Sequence, residues 1–172
     1  MPQVLTAART AIDRGLAVFP LPIGGRVPEP GWQRPATVLP ELLAGRGVGI
    51  GCRASHVVAL DLDVHGDDDG RGVLAALADR LGATVPETFT VATPSGGLRL
   101  YFQAPMGCTI GSVSGGHSPL GPGIDVRGPG RRSGGYLVGP GSVVDGRPYV
   151  IAPDVPVAPL PCWLAERLQG QR

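Results

Sequence analysis

The sequence predicts an α+β fold in which many short strands alternate with a few amphipathic helices. The 28 glycines and 19 prolines separate short apolar runs, which is typical of short strands joined by tight turns. Residues 3–14 and 70–81 instead repeat apolar side chains at helical spacing, and a glycine follows each segment. A chain of 172 residues with 42% hydrophobic content is long enough to form one domain with its own core.

After the first helix, the first half of the chain supplies three predicted strands. One covers residues 16–21, and a loop rich in glycine and proline follows over 22–37. Residues 38–44 are expected to form a short helix, and residues 47–55 a strand followed by a turn. The segment HVVALDLDV, residues 56–64, is the clearest strand because apolar and β-branched side chains dominate it.

The second half contains a predicted hairpin and several short strands. Strands over residues 88–93 and 98–103 are expected to pair around the turn PSGG. A long loop rich in glycine and serine covers residues 104–123. Further strands are expected over residues 123–128, 134–142 and 147–153.

The chain is expected to be a single domain of the cytoplasm. Residues 1–152 are predicted to form one domain with two lobes. Residues 153–172 are predicted to be a proline-rich extension with a short helix over 162–169 that packs on this domain. No long apolar run opens the chain, so neither a signal peptide nor a membrane span is expected. Three scattered cysteines without C-x-x-C spacing argue against a structural zinc site and fit a reducing compartment.

The charge of the chain excludes a general attraction to nucleic acid. All 15 basic residues are arginines, 14 residues are acidic, and the formal net charge is +1. Contact with nucleic acid therefore has to come from local clusters of arginine.

Asp61 and Asp63 are the first candidate site residues. Because strand side chains alternate, Val58, Leu60 and Leu62 point to one face and the two aspartates to the other, about 6.6 Å apart along the strand. Two ionised carboxylates so placed repel each other unless a cation lies between them, and a pair of divalent ions would remove this repulsion. A strand end that emerges into solvent is the alternative, and it stays open.

Asp67, Asp68 and Asp69 have a different explanation. They lie between Gly66 and Gly70, just before the second predicted helix. One aspartate there is expected to cap the helix, and the others favour its positive N-terminus. We therefore expect a structural role for these three residues.

Asp125 is the third candidate carboxylate. In GIDVRGPGRR the flanking apolar residues face the core, so Asp125 and Arg127 share the opposite face. A carboxylate from a neighbouring strand is what a two-metal site needs as a further ligand. Arg127, Arg131 and Arg132 are candidates to hold phosphate, although a solvated turn explains the last two equally well.

The segment TPSGGLRLYF supplies further candidates. A turn of this composition leaves backbone N–H groups free to meet phosphate, although such turns also occur without any ligand. The predicted nucleotide-binding residues are Ser95, Gly96, Gly97, Arg99 and Arg127.

The ordered set of these segments resembles the bifunctional DNA primase/polymerase (prim-pol) domain of the archaeo-eukaryotic primase superfamily. The segments are GLAVFPLPIGGRVPEPGW, VVALDLDVHG, TPSGGLRLYF and GIDVRGPGRRSGGYLVGPGS, in the order of the family and near its spacing. None is specific by itself, but together they extend over residues 5–168. The resemblance implies a prim-pol fold, in which an RRM-like catalytic sheet packs with an N-terminal α/β unit.

The resemblance also implies an activity and a site. Asp61, Asp63 and Asp125 would be the catalytic residues and would bind two Mg²⁺ or Mn²⁺ ions. The implied reaction joins nucleoside triphosphates to a 3′-hydroxyl on a single-stranded or primed DNA template, in the replication of a plasmid, phage or mobile element. A helicase or replication initiator acting in trans is an implied partner.

Two positions depart from the family pattern. Where the family usually has Ser-Gly-Gly-x-His, this chain has Arg99 in place of the histidine. Arginine also binds phosphate but cannot give up a proton at neutral pH, so nucleotide binding is expected to survive while turnover falls. Arg26 replaces a lysine that is common in the glycine-rich loop, and we expect Arg26 and Trp32 to lie near the site.

Other functions stay open. Arg99 favours a non-catalytic nucleotide- or DNA-binding module with the same fold. The motif DLDV also resembles the first motif of haloacid-dehalogenase phosphatases, but the lysine that these enzymes generally need is missing. A metal-dependent glycosyltransferase with a D-x-D motif is a further alternative, although such domains are usually longer.

Overall fold

The computed structural model describes residues 2–34, 40–114 and 116–170. The α-helices in these ranges are α1 (Pro2–Asp13), α2 (Cys52–Ser55), α3 (Gly70–Arg80) and α4 (Cys162–Gln169), and a 3₁₀ turn covers Pro40–Leu43. The strands are β1 (Val18–Leu21), β2 (Gly47–Gly51), β3 (Val57–Leu62), β4 (Val64–His65), β5 (Asp68–Asp69), β6 (Thr90–Ala92), β7 (Leu98–Gln103), β8 (Ile124–Arg127), β9 (Tyr136–Val138), β10 (Val143–Val144), β11 (Arg147–Pro148), β12 (Val150–Ile151) and β13 (Ala158–Pro159).

Most of these strands belong to two sheets. The large sheet has the order β12-β6-β7-β3-β8 with antiparallel neighbours, and β13 adds a short parallel pairing to β7. The small sheet has the antiparallel order β1-β2-β9, while β4-β5 and β10-β11 form two-stranded ribbons. The predicted α+β class is confirmed as a mixed structure with a mainly antiparallel sheet. The RRM-like character of that sheet stays a prediction.

Two apolar cores lie on opposite faces of β3. Leu60 and Leu62 belong to the core that includes residues of α3 and α4. Val57 and Ala59 belong to the other core, which includes residues of α1 and of the small sheet. The predicted alternation along this strand is confirmed, and it directs the side chain of Asp61 toward the small sheet.

The strand predicted over residues 56–64 is shorter than expected, because β3 ends at Leu62. The backbone N–H of Asp63 donates to the carbonyl oxygen of Gly123 at 2.8 Å, and its own carbonyl oxygen accepts from the N–H of Gly70 at 2.8 Å. The first bond continues the register of β3 with β8 by one residue, and the chain then enters the β4-β5 ribbon.

The other predicted elements form at nearly the expected places. The helices over 3–14, 70–81 and 162–169 correspond to α1, α3 and α4, and the predicted hairpin is the antiparallel pair β6 and β7. In place of the helix predicted over 38–44 the structure has the 3₁₀ turn, and residues 38 and 39 lie outside the described residues. The turn predicted after β2 is the single helical turn α2.

The segment after residue 152 packs on the large sheet. The N–H of Leu160 donates to the carbonyl oxygen of Gln103 at 2.9 Å. On α4, Leu164 and Leu168 are buried in the core that contains residues of α3. None of the helices in the described ranges is long and apolar enough to cross a membrane.

The three cysteines are free thiols, of which Cys52 and Cys108 are buried and Cys162 is exposed. Burial raises the pKa of Cys52 to about 12, because a thiolate there would lose its hydration, and Arg127 lowers it by less. Cys52 therefore stays protonated at neutral pH and acts as a small apolar residue of the core.

Candidate active site between the two sheets

Three charged side chains lie in one row across the large sheet. In the strand register, Asp61 of β3 pairs with Arg99 of β7 on one side and with Asp125 of β8 on the other. The row faces the small sheet, because Nη1 of Arg99 donates to the carbonyl oxygen of Val138 in β9 at 2.7 Å. The cleft between the two sheets thus brings together three of the residues that the sequence singled out.

Asp61 and Arg99 form a bidentate ion pair. Nε of Arg99 donates to Oδ1 of Asp61 at 3.0 Å, and Nη2 lies 3.0 Å from Oδ2. The two side chains are nearly buried, with exposed fractions of 12% for Arg99 and 9% for Asp61. Because both oxygens of Asp61 already face a guanidinium group, its charge is neutralised within the protein.

Further contacts hold Arg99 in place. Besides the bond to Val138, its Cζ lies 4.9 Å from the centre of the Tyr149 ring, which is a cation–π distance. Burial by itself lowers the pKa of Arg99, but the adjacent Asp61 carboxylate outweighs this effect and the pKa is raised. Arg99 is therefore a fixed cation of the site.

Asp125 and Arg127 form a looser pair within β8. Nη2 of Arg127 donates to Oδ2 of Asp125 at 3.1 Å, and the exposed fractions are 24% for Arg127 and 21% for Asp125. Nη1 of Arg127 donates to the carbonyl oxygens of Val113 at 3.2 Å and of Val126 at 3.0 Å. Within the described ranges only one oxygen of Asp125 is engaged, so this carboxylate keeps capacity for a ligand.

Asp63 lies just beyond β3, and its position is fixed through its backbone. A Cβ at Gly70 would lie 2.1 Å from the carbonyl oxygen of Gly123, so only glycine allows the two segments that bind Asp63 to approach. Burial, followed by repulsion from Asp61 and Asp125, raises the pKa of Asp63, and nearby positive groups lower it by less. Asp63 is therefore more easily protonated than an exposed carboxylate.

The predicted phosphate-binding turn packs against the end of β3. A Cβ at Gly97 would lie 2.4 Å from the carbonyl oxygen of Leu62, so this position also needs glycine. Gly96, with φ of +91°, donates its N–H to the carbonyl oxygen of Thr93 at 3.0 Å. That N–H is therefore used within the turn, while Ser95 at its tip is exposed.

The aspartates before α3 behave as local structure. Asp69 is the N-cap, and its side chain accepts from the N–H of Gly72 at 3.2 Å. Asp67 and Asp68 are exposed. The predicted cap is thus confirmed at Asp69.

Arg26 and Trp32 line the cleft together with Asp61 and Arg99, around a cavity of about 480 Å³. Arg26 is exposed and pairs with Asp145 at 3.1 Å. The structure therefore places both residues near the site, where the sequence analysis expected them.

Two contacts of Arg99 had no signal in the sequence. Val138 contributes a backbone carbonyl, which any residue carries. Tyr149 lies between the two short strands β11 and β12, and only their place in the fold brings its ring to Arg99. Pairing between distant segments determines both contacts, and local patterns do not report such pairing.

The three aspartates have the oxygen ligands that Mg²⁺ and Mn²⁺ prefer, but their arrangement does not fit two metal ions as it stands. Both oxygens of Asp61 face Arg99, and Oδ2 of Asp125 faces Arg127. Among the described residues, no group of three or more acidic, histidine or cysteine side chains has an arrangement that would hold a metal ion. The guanidinium of Arg99 supplies the positive charge next to Asp61.

The guanidinium group of arginine is suited to bind phosphate as well as carboxylate, so a cleft lined by Arg99 and Arg127 is compatible with a phosphorylated ligand. The family model described as bifunctional DNA primase/polymerase, N-terminal, matches residues 8–163, and this chain belongs to that family. No curated protein matches the chain. The predicted family is confirmed, and its general class is that of DNA primase/polymerase-type nucleotidyltransferases.

Proposed function

We propose that the cleft is the active site of a nucleotidyltransferase that joins nucleoside triphosphates to a 3′-hydroxyl on a DNA template. The observation that carries this proposal is that Asp61 and Asp125 lie opposite each other in the register of β3 and β8, with Asp63 two residues beyond Asp61. These carboxylates come from β8 and from the end of β3, and they influence one another electrostatically in a chain of the primase/polymerase family.

The reaction requires positive charge for the triphosphate and an acceptor for a proton. Arg127 lines the cavity and is partly exposed, so it is our candidate for contact with the phosphates. When the 3′-oxygen forms its bond to the α-phosphorus, the bond to pyrophosphate breaks and the hydroxyl proton leaves. Asp63, whose pKa is raised, is our candidate acceptor for this proton.

The substitution Asp63→Asn tests this proposal in a primer-extension and de novo priming assay with Mg²⁺ or Mn²⁺. It leaves the Asp61–Arg99 pair intact, so loss of activity would not follow from loss of the core ion pair. We expect synthesis to fall by at least about 100-fold, the scale of a lost general base. Asp67→Asn is the matched control, because Asp67 is exposed in the same segment. Unchanged synthesis by Asp63→Asn would contradict the proposal, and a chelator arm tests the expected need for a divalent ion.

A second candidate function is a nucleotide- or DNA-binding module without synthesis. The observation that favours it is the buried pair of Asp61 with Arg99, which keeps a central carboxylate away from any ligand. Under this alternative the wild type binds nucleotide but does not extend a primer, and Arg99→His gains synthesis by releasing Asp61. Circular dichroism verifies that the variant is folded, and robust extension by the wild type rules the alternative out.

A further inference from the structure

Three cavities of about 480, 430 and 390 Å³ share lining residues one after another, starting at the candidate active site, and we call them together the groove. The first contains Asp61, and it shares Trp32 and Ser133 with the second. The second shares Arg53 with the third. A ligand that fills all three therefore extends from the acidic site to the turn that carries Arg131.

Trp32 forms a flat wall common to the first two cavities. The centre of its ring lies 4.5 Å from that of Phe19 and 5.0 Å from that of Tyr136. The indole also lies on Gly51, where a Cβ would be 3.2 Å from its Cζ3. These contacts fix the ring, yet the residue stays partly exposed. A fixed and partly exposed aromatic ring is suited to stack on a nucleobase.

Three arginines concentrate positive charge beyond Trp32. Arg53, Arg131 and Arg132 line the second and third cavities, and none of the described residues around these two cavities is acidic. Nη1 of Arg53 donates to the carbonyl oxygens of Pro129 at 3.3 Å and of Gly130 at 3.2 Å, which holds the turn in place. Since the whole chain has a formal net charge of only +1, these arginines are a local concentration of positive charge.

We propose that this groove binds unpaired nucleotides of single-stranded DNA. One base stacks on Trp32, and the adjacent phosphates lie next to Arg53, Arg131 and Arg132. The inference rests on the proposed function, because it gives the template strand a path to the acidic site. Duplex DNA is expected to bind more weakly, since its paired bases are not available to the indole.

Fluorescence tests the stacking directly, because the chain has only two tryptophans. Trp163 is also partly exposed, but it packs against the core on the other face of the large sheet, away from the groove, and its Nε1 donates to the carbonyl oxygen of Thr84 at 3.1 Å. A short oligothymidylate is expected to quench the fluorescence of Trp163→Phe, which retains Trp32. It should leave the fluorescence of Trp32→Phe almost unchanged. Equal quenching of both variants, or of neither, would overturn the proposal.

The affinity of the same oligonucleotide gives a second measure of the stack. Trp32→Leu removes the aromatic ring, and we expect binding to weaken by about 5- to 150-fold, the range for loss of one stacked base. Circular dichroism verifies that this variant is folded. Binding equal to that of the wild type would count against the stack.

Salt dependence tests the arginines, and here the fold is not at risk because Arg131 and Arg132 are exposed. Each phosphate contact to a single strand contributes about 0.7 to the slope of log affinity against log salt, so Arg131→Ala/Arg132→Ala should reduce the slope by about 1.4. Arg80→Ala/Arg167→Ala is the matched control, since both arginines are exposed outside the groove. A slope that does not change in the first variant would contradict the proposal.

A free nucleotide and a DNA strand both offer a base and phosphates to the groove. A titration with dTTP alone distinguishes between them. Because Trp32 also lines the cavity in which we place the triphosphate, we expect dTTP to quench it with an affinity that Arg131→Ala/Arg132→Ala leaves unchanged, whereas this variant should weaken quenching by the oligonucleotide. An equal effect of the variant on both ligands would overturn the strand proposal. Primer extension run in parallel separates this inference from the proposed function. Quenching without synthesis refutes only the active-site proposal, whereas synthesis without quenching refutes only the groove.

Discussion

The Asp61–Arg99 and Asp125–Arg127 pairs lie side by side on the large sheet, and the protein holds them differently. The first pair joins two strands through two short contacts and is nearly buried, while the second joins residues of one strand through one contact and is partly exposed. A buried charge without its partner is strongly destabilising, whereas a partly exposed pair contributes little. From this difference we infer that the Asp61–Arg99 pair stabilises the fold, whereas the Asp125–Arg127 pair is available to bind ligands.

Removing Arg99 is expected to have the largest effect on stability. Arg99→Met leaves Asp61 buried without a partner, so the free energy of unfolding should fall by about 3–5 kcal/mol, as measured by urea denaturation. Adding Asp61→Asn to this variant should recover much of the loss. A fall of less than about 1 kcal/mol for Arg99→Met would place this pair in the same class as Asp125–Arg127.

Tyr101 is a buried polar residue that, unlike Asp61, lacks a partner for its polar group among the described residues. Its hydroxyl is buried with no hydrogen-bond partner among the described residues, and burial raises the pKa of this group. Tyr101→Phe removes an unsatisfied polar atom, so the free energy of unfolding should rise by about 1 kcal/mol. Thermal and urea denaturation test this, and a clear loss of stability would show that the hydroxyl has a partner in solution.

Asp125→Asn should change stability by less than about 1 kcal/mol, because the pair that it breaks is partly exposed. Primer extension by the same variant should nevertheless fall sharply, since we place Asp125 in the active site. The two measurements on one protein sample separate a role in the framework from a role in function. A large loss of stability together with normal synthesis would reverse our assignment of the two pairs.

Asp63→Asn should have a small, pH-dependent effect on stability. The pKa of Asp63 is raised above its usual value of 3.8, so the folded protein binds more protons than the unfolded chain between these two values. The contribution of Asp63 is fully present below pH 3.8 and is lost as the pH rises through the raised pKa. In buffer free of divalent ions, the melting temperature of Asp63→Asn relative to the wild type should therefore be higher at neutral pH than below pH 3.8.

Much of the site was predictable from local patterns. Alternation along β3 predicted the face of Asp61, and the same rule placed Asp125 and Arg127 together on β8, where they form an ion pair. The common face of Asp61 and Asp63 stays a prediction, because β3 ends at Leu62. The cap at Asp69 was predictable because capping involves residues close in sequence.

The partner of Arg99 was not predictable from the same patterns. It depends on the register between β7 and β3, which are distant in the sequence and are aligned by the packing of two cores. The resemblance to prim-pol domains suggested phosphate as the ligand of Arg99, and that role stays a prediction. The lining of the groove also had no local signal, because three separate segments supply Trp32, Arg53 and Arg132.

A crystal structure with a bound non-hydrolysable nucleoside triphosphate would test the central claim about the two pairs most directly. Our account predicts that Arg99 stays on Asp61 at contacts near 3.0 Å, while the phosphates lie against Arg127 beside Asp63 and Asp125. A structure in which Arg99 has left Asp61 to bind the phosphates would contradict this account.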